Sequence, residues 1–193
     1  MKRILMTIIL MLVGGGLLAD DVMDWIKDGI EAYENKEYSE AVTNLEYAAQ
    51  LIRQMKGEEM TAALPEALSG WKKQSSESGA AGAAMFGGAT SASARYKKGN
   101  ASCDITITSD NPMLSSILMM FSNPMLISSS GQKLIKIGGE KASLDFDGDQ
   151  GEITVVVDKK VLVQISGSDI TEEDLRAYAE AVNYELIEEL SGD

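Results

Sequence analysis

The chain has 193 residues, 45% hydrophobic and 24% charged, an ordinary globular mixture that excludes disorder throughout. Thirty acidic residues against 17 basic ones give a formal charge of −13, a surface that repels nucleic acid and anionic lipid head groups. There is no histidine, which removes the commonest general base and nitrogen metal ligand, and a single cysteine excludes an intramolecular disulfide.

Lys2 and Arg3 precede an apolar run from Ile4 to Val13 and small residues from Gly14 to Ala19, the pattern of a secretory signal peptide over 1–19. Even extended through Leu18, the run is shorter than the roughly 20 residues of a membrane-spanning helix, so an uncleaved anchor is the alternative rather than the first expectation. No Cys follows it, and a periplasmic or secreted location is expected.

Residues 20–57 predict a helical hairpin. Apolar and small residues recur at helical spacing from Trp25 to Tyr33 and from Tyr38 to Ile52, with a polar turn at Glu34 to Glu37. Trp25, Gly29, Tyr38, Ala41, Leu45 and Ala48 follow the spacing of a tetratricopeptide repeat, which this segment resembles, although Asp28 stands where a Leu is usual and no second copy follows. Since such repeats bury their faces by stacking, the resemblance implies that another part of the chain or another protein covers the hairpin.

Residues 58–93 read as a connector followed by a Gly, Ala and Ser-rich loop from Ser75 to Ser93, with Trp71 as a core anchor at the entrance to a strand. From Ala94 the pattern turns to strands. Arg95 to Lys98 and Ala101 to Thr108 form a hairpin that points Cys103 inward beside Ile105. Leu134 to Ile137, Ala142 to Phe146, Glu152 to Val157 and Lys160 to Ser166 continue as an antiparallel meander, six strands in all.

Between them, Asn-Pro-Met-Leu occurs at 111–114 and again at 123–126, flanking the most apolar stretch beyond the leader. A helix from Pro112 to Phe121, stopped by Asn123-Pro124, is expected to cover one face of the central hairpin, with Met113, Ile117, Met120 and Phe121 as apolar contacts. A terminal helix capped by Thr171, with Leu175, Ala179, Val182, Leu186 and Leu190 as one stripe, is expected to cover the other. The predicted fold class is thus α+β: a helical hairpin joined, over 94–193, to an antiparallel sheet under a Met-rich helix and a C-terminal helix.

Candidate chemistry is sparse. Ser69-Gly70-Trp71-Lys72, Ser130-Gly131-Gln132-Lys133 and Ser109-Asp110-Asn111 match two motifs of penicillin-recognising enzymes, but the third, Lys-Thr-Gly, is missing. Asp145, Asp147, Asp149 and Glu152 alternate around Gly148 and resemble the front of a calcium-binding EF-hand loop, so calcium is the one cofactor they suggest. Against it, Gln150 replaces the obligatory glycine, Val156 replaces the bidentate Glu, and strands flank the loop.

Beyond residue 20 the chain is similar to short exported bacterial proteins of uncharacterised function that pair one repeat-like hairpin with a sheet domain beginning near Leu64-Pro65 and Gly70-Trp71. The resemblance implies no activity. The expectation is an exported, non-enzymatic binding or accessory protein of the cell envelope with an envelope protein as partner. Its rival is a protein that puts residues 79–89 and 111–127 against a membrane or an apolar ligand.

Overall fold

A computed structural model describes residues 14–78 and 89–192, and the chain divides into two units, Met1–Ile52 and Arg53–Asp193. The expected leader, apart from its last six residues, and residues 79–88 of the expected loop over 75–93, which make up nearly all of the proposed membrane-contacting segment 79–89, lie outside the described residues. Among the described residues no helix is long and apolar enough to cross a membrane.

The first unit is a pair of helices, α1 (Gly14–Glu34) and the start of α2 (Tyr38–Thr61). Between them Lys36 adopts a left-handed conformation, φ 65°, while its N–H donates to the Tyr33 carbonyl and the Glu37 N–H to the Ala32 carbonyl. That pair of bonds satisfies the orphan carbonyls at the end of α1 and reverses the chain. The helices then approach closely enough that a Cβ on Gly29 would lie 2.8 Å from Leu45 Cγ. Trp25 packs against Tyr47 with ring centroids 4.5 Å apart and the ring planes tilted by 55°.

The second unit is α+β, with a seven-stranded antiparallel sheet of order β1-β2-β3-β7-β6-β5-β4. The strands are β1 (Lys72–Ser78), β2 (Thr90–Lys98), β3 (Ala101–Ser109), β4 (Lys133–Ile137), β5 (Glu140–Asp147), β6 (Gln150–Val157) and β7 (Val161–Ser168). The expectation of six strands missed β1, and the two ends of the segment read as a loop over 75–93 belong to β1 and the start of β2. β1 is an edge strand whose Lys72-Lys73-Gln74-Ser75-Ser76-Glu77-Ser78 has no apolar residue, the composition that discourages edge-to-edge pairing with other chains and also hides the strand from hydrophobic periodicity.

One face of the sheet carries the main core. Tyr96, Cys103, Ile105, Ile107, Leu144, Ile153, Val155, Val163 and Ile165 are almost completely buried there, beneath α5 (Glu172–Glu180), α6 (Tyr184–Ser191) and the segment around Met60 to Trp71. Trp71 is buried, edge-on to Tyr178 at 5.1 Å, and the Tyr96 hydroxyl donates to the Pro65 carbonyl at 2.6 Å. The Leu-Pro and Gly-Trp positions are therefore where the chain is tied down onto the sheet.

The single terminal helix of the sequence reading is two helices. Thr171 Oγ1 accepts from the Asp174 N–H and starts α5, as expected, but the chain breaks after Ala181 and Asn183 Oδ1 accepts from the Leu186 N–H to start α6. A second internal cap competes with helix continuation, and an apolar stripe alone does not register it.

The Asn-Pro-Met-Leu repeat performs the same local operation twice. Asn111 and Asn123 each accept from the N–H of the Met two residues on, at 2.8 and 3.2 Å, and their carbonyls accept from the following Leu N–H at 3.0 and 2.9 Å. The first copy leads into α3 (Leu114–Ser122), and the second, instead of only stopping it, launches α4 (Pro124–Ser129). These helices cover the second face of the sheet only where Phe121 and Ile127 bury against Val156 and Leu162. The remainder of that face is polar, buried at Thr108, Ser143 and Thr154 and exposed at Ser75, Arg95, Ser166, Glu152 and Asp145, contrary to the expectation that the central hairpin is roofed on both sides.

Candidate functional site

Strand register assembles the open face into rows. One row crosses six strands through Ser75, Arg95, Asp104, Ser166, Glu152 and Asp145, each directly opposite its neighbour. The next carries Ser93, Thr106, Gln164, Thr154 and Ser143. Successive side chains of a strand alternate between faces, so the residues that interleave with Cys103, Ile105, Ile153 and Ile165 must be polar if this face meets water.

Over these rows lies an open cavity of about 460 Å³ lined by Asp104, Asp145, Asp147 and Glu152 with Ser143 and Ser166. Its charges are unevenly compensated. Arg95 Nε donates to Asp104 Oδ1 at 2.6 Å, and that bond together with the attraction of the same carboxylate raises the Arg95 pKa. Among the described residues, Glu152 has only the Thr154 hydroxyl, which donates to it at 3.1 Å, and it faces Asp145 across the ladder. Opposed carboxylates on paired strands repel.

Asp145, Asp147 and Glu152 therefore share one cavity, but Asp149 does not join them. It sits in the β5–β6 turn, and its contribution to the fold is its carbonyl, which accepts from the Ile170 N–H at 3.1 Å. Among the described residues, no three His, Cys, Asp or Glu side chains group closely enough to hold a metal ion. An EF-hand loop coils its alternate carboxylates around a cation, whereas residues i and i+2 of an extended strand stand about 6.6 Å apart. Flanking strands thus pull apart the set that the local spacing places together.

The apolar candidates divide in the same way. Phe121 is buried, while Ile117 and Met120 pack partly against it, Val156 and Leu162. Met113 is 64% exposed, and Met119, Met125 and Leu126 are exposed with it. The stretch is core along one edge and uncovered along the other.

Cys103 is fully buried and burial pushes its thiol up to about 12, so it is an inert core thiol. Sequence reasoning missed Asp104, Arg95 and Ser166, which only strand register brings beside Glu152, and also a group of lysines at the β4–β5 end of the sheet. Asp104 pairs with Ser166 62 residues away, and Ser166 with Glu152 14 away, so local alternation could assign their face but not these neighbours.

No family model matches the chain, and no curated protein matches it. Among solved structures, the chain is similar to the crystal structure of a GTP binding regulator from Thermotoga maritima, with 8% identity and a TM-score of 0.38 over 69% of this chain and 88% of that one.

Proposed function

We propose that this is an exported, non-enzymatic accessory protein of the cell envelope that binds another protein through the hairpin of its first unit. The observation that carries the reading is the placement of apolar side chains on α1 and α2. Met23, Ile30 and Tyr33 are each at least half exposed, as are Tyr38 and Val42, and Leu45 and Ile52 are nearly so. Their spacing puts them in one stripe on each helix, and the Tyr33 and Tyr38 rings, 5.9 Å apart, join the stripes at the turn. An uncovered repeat-like hairpin is what stacking would normally bury.

Charge narrows the occupant. Residues 20–52 hold nine acidic and two basic side chains, so a second copy presents the same sign and is repelled. The surface suits a partner segment that is apolar and basic. A photo-reactive residue at Val42 in the envelope of the producing cell tests this, with a second at Glu173 as control. Support is a Val42 adduct whose partner peptide is basic and apolar and whose yield falls at high salt. Adducts between two copies, or equal yield from both positions, would sink it. Export is tested separately by fusing residues 1–57 to alkaline phosphatase, which is active only after translocation.

The exposed edge of α3 and α4 favours a second reading, contact of 111–127 with an apolar ligand or a membrane. Retention of the protein in the soluble fraction on flotation with zwitterionic and anionic liposomes would remove the membrane form of it.

A further inference from the structure

Lys136 and Lys141 stand directly opposite each other on β4 and β5. Like charges at such positions destabilise a ladder, by a few tenths of a kcal/mol up to about 1. Neither is in an ion pair among the described residues, nor is Lys159 in the adjacent β6–β7 turn, although the chain carries 30 carboxylates. All three lysines line one cavity of about 460 Å³, whose apolar wall is Leu118 and Phe121 of α3 with Val156 of β6.

Two acidic residues also line it. Glu140 precedes Lys141 in the same strand, so its side chain is phased to the opposite face, and Asp158 accepts from the Ser191 hydroxyl at 3.4 Å. Three lysines against one inward acidic side chain, Asp158, thus share the cavity with an apolar wall that includes Leu118 of α3, the helix that exposes Met119. The volume is that of a small-molecule site.

We propose that this cavity binds a long-chain fatty acid. The carboxylate takes the place of the missing counter-ion between Lys136, Lys141 and Lys159, and the alkyl chain runs along Leu118, Phe121 and Val156 toward the exposed methionines. An anionic head answers the unpaired lysines, which a neutral lipid does not. A free monomer sets a single negative charge against the net charge of −13, whereas an anionic bilayer sets many. The inference rests on the apolar-ligand reading of 111–127 and is independent of the hairpin's partner.

The test is calorimetric titration of the full chain with oleate below its micelle concentration, beside oleyl alcohol and inorganic phosphate. The expected result is one oleate per chain, binding at least tenfold tighter than the alcohol, no binding of phosphate, and at least a tenfold loss in Lys136→Gln/Lys141→Gln. Both lysines are exposed, so the double variant keeps the fold, and far-UV circular dichroism confirms it. Glu152→Gln on the same face is the control and keeps parental affinity. Oleate affinity equal to that of the alcohol, affinity unchanged in the double variant, or no oleate binding beside capture by phosphatidylglycerol vesicles would each overturn the proposal. Oleate binding that ignores the lysines would sink this site while leaving the apolar-ligand reading in place elsewhere on the chain.

Discussion

The ring of Tyr184 lies in the space where a side chain on Gly138 would begin. A Cβ there would overlap the ring, and Gly138 has φ 57°, in the left-handed region. Its N–H donates to Glu180 Oε2 at 3.1 Å, and the Tyr184 hydroxyl donates to the Ala179 carbonyl at 2.8 Å, so the β4–β5 turn is fastened to the α5–α6 junction. Gly138→Ala is expected to cost about 2–4 kcal/mol, joining left-handed strain to overpacking. Gly139→Ala, at φ 90° with open space around it, should cost only the strain, about 1–2 kcal/mol. Urea unfolding of the two variants checks the difference, and equal losses would mean that the Tyr184 contact yields.

Lys36 holds the position at the end of α1 where glycine is usual, with φ 65° and both reversing hydrogen bonds in place. Lys36→Gly removes a Cβ penalty without removing a bond, and should stabilise the hairpin by about 1 kcal/mol. Thermal melting of the hairpin followed by Trp25 fluorescence measures it. A lower midpoint would show that the Lys36 side chain contributes more than its backbone costs.

Those two turns mark what the sequence does and does not disclose. The turn at 34–37, the Thr171 cap, the inward Cys103 and the entry of Trp71 into the core all follow from local spacing, and each is as expected. β1 was illegible because an all-polar edge strand has no periodicity of burial to detect. The break at Asn183 was illegible because Val182 and Leu186 continue the stripe while the cap interrupts the backbone. The acidic row was illegible for a third reason: Lys136 meets Lys141 through a short turn, but Asp104 meets Ser166, and Ser166 meets Glu152, through register that no local pattern specifies.

Alkaline pH should unfold the protein through its buried tyrosines and thiol. Burial pushes Cys103 from 9.0 up to about 12 and Tyr178 from 10.0 up to about 12, and raises Tyr96 and Tyr184 as well. Folded values above unfolded ones mean that the native state retains protons that the unfolded chain has lost. Stability is then complete below about pH 9 and declines as pH rises toward 12. The urea midpoint is expected to be flat from pH 7 to 8.5 and to fall beyond. Tyr96→Phe should lower the unfolding free energy by about 1 kcal/mol at pH 7, since the Pro65 carbonyl loses its 2.6 Å donor, and flatten its slope above pH 10. A midpoint constant to pH 11 would contradict the burial of these groups.

The opposed carboxylates of Asp145 and Glu152 give a prediction whose sign separates two accounts of the β5–β6 hairpin. If the pair is only a repulsive cross-strand contact, Glu152→Gln removes repulsion and raises stability by about 0.2–1 kcal/mol at low salt. The gain should shrink in 1 M salt, where the Debye length is about 3 Å. If instead Asp145, Asp147, Asp149 and Glu152 hold calcium, the same substitution removes a ligand, and in millimolar calcium it destabilises by mass action. Asp149 does not line the cavity that the other three share, and among the described residues no three carboxylates group closely enough to hold a metal ion, which favours the first account. Melting of parent and variant with calcium, with magnesium and with chelator decides between them. The expected result is a salt-sensitive gain in the variant that is the same in all three. A rise in the parent's midpoint specific to calcium, abolished by Glu152→Gln, would establish a cation site on the hairpin.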